Sequence, residues 1–312
     1  MEYPIEDARD PTFFKLTTFS KYKRADVKQA LLRSLVEGQL EPCCYWTTEL
    51  VCSGHYSDLW EIVLLFFGKY VHSGNPKLSV YLERRFQVFR DAARMEPSEL
   101  ELRNKVVVRQ LFSEIMCVLC LSPKRLGLDA VKVKKDELDT SRGRMRATNA
   151  EFARPYFKAG DPLELYAALN EIAYSLSADK TMDACYWLEW FMLYESVKKP
   201  APRGMSRAYV EGKRAATEPI WMVWDVLLAF AKDKSVLAEK VARATLGLFC
   251  LHYTPAANER RRFLMYFVIA LVCEDVKMEG DIVPDRKVIE AVFPKCSLLY
   301  RDIRKHSVRL KA

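Results

Sequence analysis

The chain has 312 residues, half of them hydrophobic and 29% charged, which supplies apolar side chains for two cores of ordinary domain size and excludes disorder throughout. Its 49 Lys and Arg exceed its 41 Asp and Glu by eight, a surplus that favours acidic partners such as nucleic acid, an acidic protein surface or an anionic membrane face. The longest apolar run, Phe263 to Cys273, falls well short of the roughly 20 residues that span a bilayer, and the acidic N-terminus does not read as a secretory signal. A protein without a transmembrane segment that stays inside a cell is expected.

Residues 1–25 carry two prolines and little periodicity, so they read as an extended arm able to dock on a partner. The first helical half spans 26–121. Asp26 with Gln29 forms an acidic variant of the capping box ahead of Val27, Leu31, Leu32 and Leu35, and Gly38 ends the helix. Pro42 sits in the first turn of a second helix carrying Cys44, Trp46 and Leu50, stopped by Ser53-Gly54. Asp58 opens a third that is apolar nearly all round through Phe67, as suits the middle of a bundle. Asn75-Pro76 caps a fourth, with Leu78, Tyr81, Leu82, Phe86 and Phe89 as its buried stripe. Asn104 opens a fifth, in which Val108, Leu111, Phe112, Ile115 and Leu119 recur at helical spacing until Ser122-Pro123.

Periodicity then fails over a basic linker, 122–160, containing Lys124, Arg125, Lys132, Lys134, Lys135, Arg142, Arg144 and Arg146. Asp161-Pro162 begins the second helical half, 161–275, with Leu165, Leu169, Ile172 and Leu176 on one face of its first helix and Cys185-Tyr186-Trp187 on the next. A basic insertion follows, without counterpart in the first half: Lys198, Lys199, Arg203, Arg207, Lys213 and Arg214 beside two prolines and two glycines. Poor in apolar residues, it looks dispensable to the fold and placed for partner contact. The remaining helices run through Trp224, through Phe249 and from Asn258. A basic C-terminal extension, 276–312, adds helix through Val288 and Ile289, then a segment through Leu298, Leu299 and Ile303.

Four anchors recur in the same order: Cys44 with Cys185, Trp60 with Trp224, Phe89 with Phe249, and Asn104 with Asn258. The fold class read from these patterns is all-α, two similar five-helix bundles in tandem, with Trp46, Trp60, Trp187 and Trp224 in their cores.

Catalytic signals are weak. Glu49, Glu61 and Asp225 lie among bulky apolar residues without a second acid at useful spacing, a pattern of hydrogen bonding between helices or exposure at a rim. The four histidines are dispersed, and no glycine-rich phosphate loop occurs. Cys117-x-x-Cys120 is the sole CxxC and sits in an apolar run, so it reads as a core helix face holding reduced thiols and not as a zinc site. No enzyme, cofactor or metal is expected.

The run Leu31 to Leu50, with Cys44-Tyr45-Trp46 inside it, followed by Leu59-Trp60-Glu61-Ile62 and Gly74-Asn75-Pro76-Lys77-Leu78, resembles a helical minor capsid protein family of large icosahedral DNA viruses of algae, the chlorovirus-like members among them. The second Cys-Tyr-Trp and Asn258 to Leu271 share the resemblance, which is least clear over 122–160 and 198–218. It implies a structural protein on the inner face of the capsid, made in the cytoplasm of an infected cell. Its partners would be major capsid protein capsomers and other minor capsid proteins, bridged or cemented from beneath. A second reading, from helix count alone, is a nucleic-acid or transcription-associated adaptor of cyclin-like tandem architecture.

Overall fold

The computed structural model describes residues 3–96, 98–125, 129–201, 203–283 and 285–308, without the side chains of Arg142 and Phe293. The basic end at 309–312 lies outside the described residues, as does the Arg142 side chain of the linker. The described residues are helical or irregular, with one isolated antiparallel bridge between Thr17 and Lys23. They form two compact units: one takes the chain up to Arg125 and again from Glu279, and the other takes the stretch between, to Met278. The segment after 128 that reads as a linker therefore belongs to the second unit, and the C-terminal extension to the first.

In the first unit the helices are α1 (Arg24–Glu37), α2 (Leu40–Cys52), α3 (Tyr56–Phe66), α4 (Leu78–Arg94) and α5 (Val106–Leu121). Gly38 closes α1 at φ +71°, its N–H returning to the carbonyls of Leu35 and Ser34, a conformation that glycine adopts without a Cβ penalty. The central helix is α5, which packs on α1, α2, α3 and α4 and buries Ile115, Met116 and Val118 completely. Around it Tyr56, Trp60, Phe86, Phe89 and Phe112 make one aromatic cluster, with Trp60 and Phe86 edge to face at 5.0 Å.

The second unit holds α6 (Glu137–Thr140), α7 (Tyr166–Ser177), α8 (Thr181–Lys198), α9 (Lys213–Ala216), α10 (Ile220–Lys234), α11 (Val236–Phe249), α12 (Ala257–Arg260) and α13 (Arg262–Cys273). Here α13 is central, packing on α7, α8, α10 and α11, with Met265 to Ala270 wholly buried. The pairs α1–α2, α2–α5, α1–α3, α4–α5, α1–α5 and α3–α5 are matched by α7–α8, α8–α13, α7–α10, α11–α13, α7–α13 and α10–α13. This pairing is consistent with a repeated five-helix plan. Trp60 meets Phe89 at 6.0 Å and Trp224 meets Phe249 at 5.2 Å, and neither indole N–H finds an acceptor among the described residues. Trp187 is buried as well, whereas Trp46 is only half-buried, set edge-on between Tyr22 and Tyr45 at the margin of its unit.

Polar residues that read as helix caps serve tertiary ties instead. Asp26 lies inside the first turn of α1, behind Lys23. Asp58 lies inside α3 and takes Arg24 and Lys28 of α1. Asn75 donates to the Ile282 carbonyl, fixing the returning chain. Asn104 pairs its amide with the backbone of Ile5 in both directions, at 2.8 and 3.0 Å. The N-terminal arm thus docks on its own unit: Ile5, Phe14 and Phe19 are buried, and Glu49 accepts from the Ser20 N–H and hydroxyl. The C-terminal segments join into one helix, α14 (Arg286–Ile303), with Pro294 inside it, packed on α2 and α5 through Cys296, Tyr300 and Ile303.

Candidate functional site

The insertion after α8 contains few apolar side chains, so its course depends on what its polar groups can reach. Arg207 settles it. Its side chain is buried, with Nη1 and Nη2 donating to the two oxygens of Asp161 at 2.9 and 2.8 Å, Nε to Asp225, and Nη1 also to the Met205 carbonyl. A planar five-donor fork suits this bidentate geometry, which a lysine could not reproduce. Asp161 also accepts from the N–H groups of Lys158 and Met205, and Asp225 from the Tyr209 hydroxyl. Burial alone would raise the pKa of Asp161, but the hydrogen bonds from Arg207, Lys158 and Met205 outweigh it and hold the carboxyl below its ordinary value. Burial likewise opposes the charge on Arg207, and its two carboxylates overcome that opposition.

A second tie lies nearer α8. Arg203 binds the buried carboxylate of Glu218 and lies 3.6 Å from Glu195. Burial first, then the hydrogen bond to Glu218 and its charge, raise the Glu195 pKa to about 8, against the pull of Arg203. Backbone contacts complete the fastening: Arg207 N–H donates to the Ala216 carbonyl, and the Trp221 indole N–H donates to Ala215. Gly212, at φ +91°, supplies the turn into α9.

The six cations expected to face a partner therefore divide. Arg207 is buried and Arg203 is engaged with Glu218 and Glu195, so the insertion is part of the fold and not an appendage to it. Lys198 stands 3.4 Å from Asp139. Lys199, Lys213 and Arg214 remain exposed, with no ion-pair partner among the described residues. Beside the insertion a depression of about 310 Å³ is lined by Tyr156, Lys158, Tyr209, Asp225, Lys232 and Arg243. It adds three cations to this face, although Lys158 also lies 3.3 Å from Asp225 and Arg243 pairs with Glu239.

Sequence reading missed Asp161, Glu195 and Glu218 as anchors because their arginines lie 8 to 46 positions away. Asp225 did carry a signal: a carboxylate inside Ile220-Trp221-Met222-Val223-Trp224-Asp225-Val226 must find a cation or stay at the rim. Basic linker residues are also tied in. Glu171 accepts from the N–H groups of Arg146 and Ala147, and the Tyr266 hydroxyl accepts from Val131 while donating to Glu189.

Among the described residues no group of three or more His, Cys, Asp or Glu side chains is placed to hold a metal ion, and no helix is long and apolar enough to cross a membrane. No protein-family model, curated protein or solved structure matches the chain.

Proposed function

We propose that the protein is a structural component of a large icosahedral virion, a helical minor capsid protein whose second unit presents a basic face to acidic surfaces of neighbouring capsid subunits. The observation that carries this reading is the fixed insertion: Arg207 is locked between Asp161 and Asp225, while Lys199, Lys213 and Arg214 point outward from the same segment. A basic loop already ordered loses little conformational entropy on docking, so weak charge contacts can add up to a stable assembly. The sequence resemblance supplies the setting.

Replacing Lys199, Lys213 and Arg214 together with alanine tests it. Expected are unchanged folding and reduced incorporation into virions, with association that weakens moderately as salt rises. Normal incorporation of the triple variant would remove the role assigned to this face. A steep, log-linear loss of nucleic-acid affinity with salt, abolished by the same substitutions, would favour the adaptor reading instead.

A further inference from the structure

Five of the nine cysteines converge in the first unit. Cys43 and Cys44 are consecutive on α2, Cys117 and Cys120 lie one turn apart on α5, and Cys296 belongs to the stripe by which α14 docks on both. They form two sets. Cys43 neighbours Cys120 and donates its thiol to the Met116 carbonyl, while Cys44 touches Cys117 with its sulfur at 3.8 Å and neighbours Cys296 on the wall of one groove. Cys44 is thus the middle of a three-thiol row reaching across three helices.

The row is buried but not sealed. Cys44 and Cys296 both line a groove of about 420 Å³, walled by Leu40, Val288, Val292 and Leu299. Each is 4% exposed, whereas Cys43 is 0% exposed and Cys117 and Cys120 only 2%, and none of these three lines the groove. The hydrogen bond to Cys117 and burial raise the pKa of Cys44, and the neighbouring Cys44 thiol and burial raise that of Cys296, so both rest as thiols. Such a pair reacts slowly and selectively, with oxidants small enough to enter.

We propose that Cys44 and Cys296 are an oxidisable dithiol that fastens α14 to α2, with Cys117 as the thiol that exchanges to release it. With a peroxide as oxidant, deprotonated Cys44 attacks one oxygen, the O–O bond breaks, and water leaves after protonation, giving a sulfenic acid. Deprotonated Cys296 then displaces hydroxide from that sulfur, the S–S bond forms, and a second water departs. Two thiols have given two electrons to one peroxide. Exchange needs no further oxidant: deprotonated Cys117 attacks Cys44, the Cys44–Cys117 bond forms, and Cys296 leaves as a thiolate. Among the described side chains, α14 buries Ile289, Cys296, Tyr300 and Ile303, so a covalent bond within this stripe alters how firmly the helix is held.

The test uses the full chain treated with hydrogen peroxide, blocked with iodoacetamide, and digested without reductant for peptide mass mapping. A Cys44–Cys296 cross-linked peptide pair that dithiothreitol separates is expected, and Cys117→Ser should increase its yield several-fold by removing the exchange. Tryptic cleavage at Lys277 or Arg286 of the oxidised chain should leave the C-terminal fragment attached on a non-reducing gel, and Cys296→Ser should free it. Because wild-type chain gives the primary readout, a variant that fails to fold does not decide the matter. The proposal is overturned if Cys296 is recovered alkylated while Cys44 is oxidised to sulfinic acid or bonded only elsewhere. It is equally overturned if peroxide leaves Cys44 and Cys296 reduced in the folded chain but oxidises them in urea.

Discussion

The N-terminal arm of the first unit presses Ile5, Phe14 and Phe19 into its helices, with the Phe14 and Phe19 rings stacked 6.0 Å apart and the Arg9 guanidinium over both. The insertion of the second unit buries a guanidinium instead, and its apolar contribution is small. Both segments are irregular apart from one short helical turn each, Pro11–Phe14 and Lys213–Ala216, yet one is held chiefly by removing hydrocarbon from water and the other by satisfying charge. The first kind of fastening is indifferent to protonation. The second weakens once Asp161 takes up a proton.

The largest expected losses are similar in size and differ in kind. Phe19→Ala should cost about 3–5 kcal/mol by emptying a fully buried site, and Arg207→Ala about 3–5 kcal/mol by leaving Asp161 and Asp225 without their cation. Denaturant unfolding at pH 7 and pH 3 separates them. Asp161 has a folded pKa below its ordinary 3.8, so its contribution is present above that value and is lost as pH falls through the folded pKa. The Arg207→Ala penalty should therefore shrink at pH 3 while the Phe19→Ala penalty persists. Equal behaviour of the two would mean that the arm and the insertion are held by the same kind of force.

Glu49→Gln tests the polar part of the arm's fastening. It should cost about 1–2 kcal/mol, because an amide oxygen can replace only one of the two acceptors used by Ser20. Wild-type stability in that variant would assign the arm wholly to its apolar contacts.

An effect with a different sign comes from Glu195. Between its ordinary 4.5 and about 8 the folded chain keeps a proton that the unfolded chain has released. Stability from this group is complete below about pH 4.5 and declines as pH rises toward 8. Glu195→Gln should flatten that slope in a series of unfolding midpoints. Smallest of all, alanine at Lys199, Lys213 and Arg214 should each change stability by less than about 0.5 kcal/mol, since these side chains are exposed. A larger loss would mean that the outward cations also hold the insertion.

The helices themselves were legible because their signals are local. Val27, Leu31 and Leu35 with Gly38, or Leu78, Tyr81, Leu82 and Phe86, state a buried face within a few turns. What escaped was the use of each polar residue beside those faces. Asn104 stands just before α5, where a cap belongs, yet its partner is Ile5, 99 positions away. Arg207 sits in a polar stretch with Gly and Pro nearby, the usual sign of a solvated loop, and its principal partner is 46 positions earlier. Side chains of these types bind a neighbouring backbone and a distant segment equally well, and only the packed chain decides between them. Trp46 failed for the opposite reason, since a repeated Cys-Tyr-Trp says nothing about which copy lies at a margin.

The first unit is interrupted in sequence by the whole of the second, and its two parts meet at Asn75, whose amide reaches Ser122 on one side and Ile282 on the other. During synthesis on the ribosome, α1 to α5 emerge long before Cys296, Tyr300 and Ile303, the residues that cover α2 and α5. The apolar flank of α2 and α5 must wait, uncovered, through the translation of more than 150 residues. The second unit is continuous and can finish folding in that interval. Maturation of the chain is thus ordered from the inside of the sequence outward, with the earliest-made helices the last to be closed over.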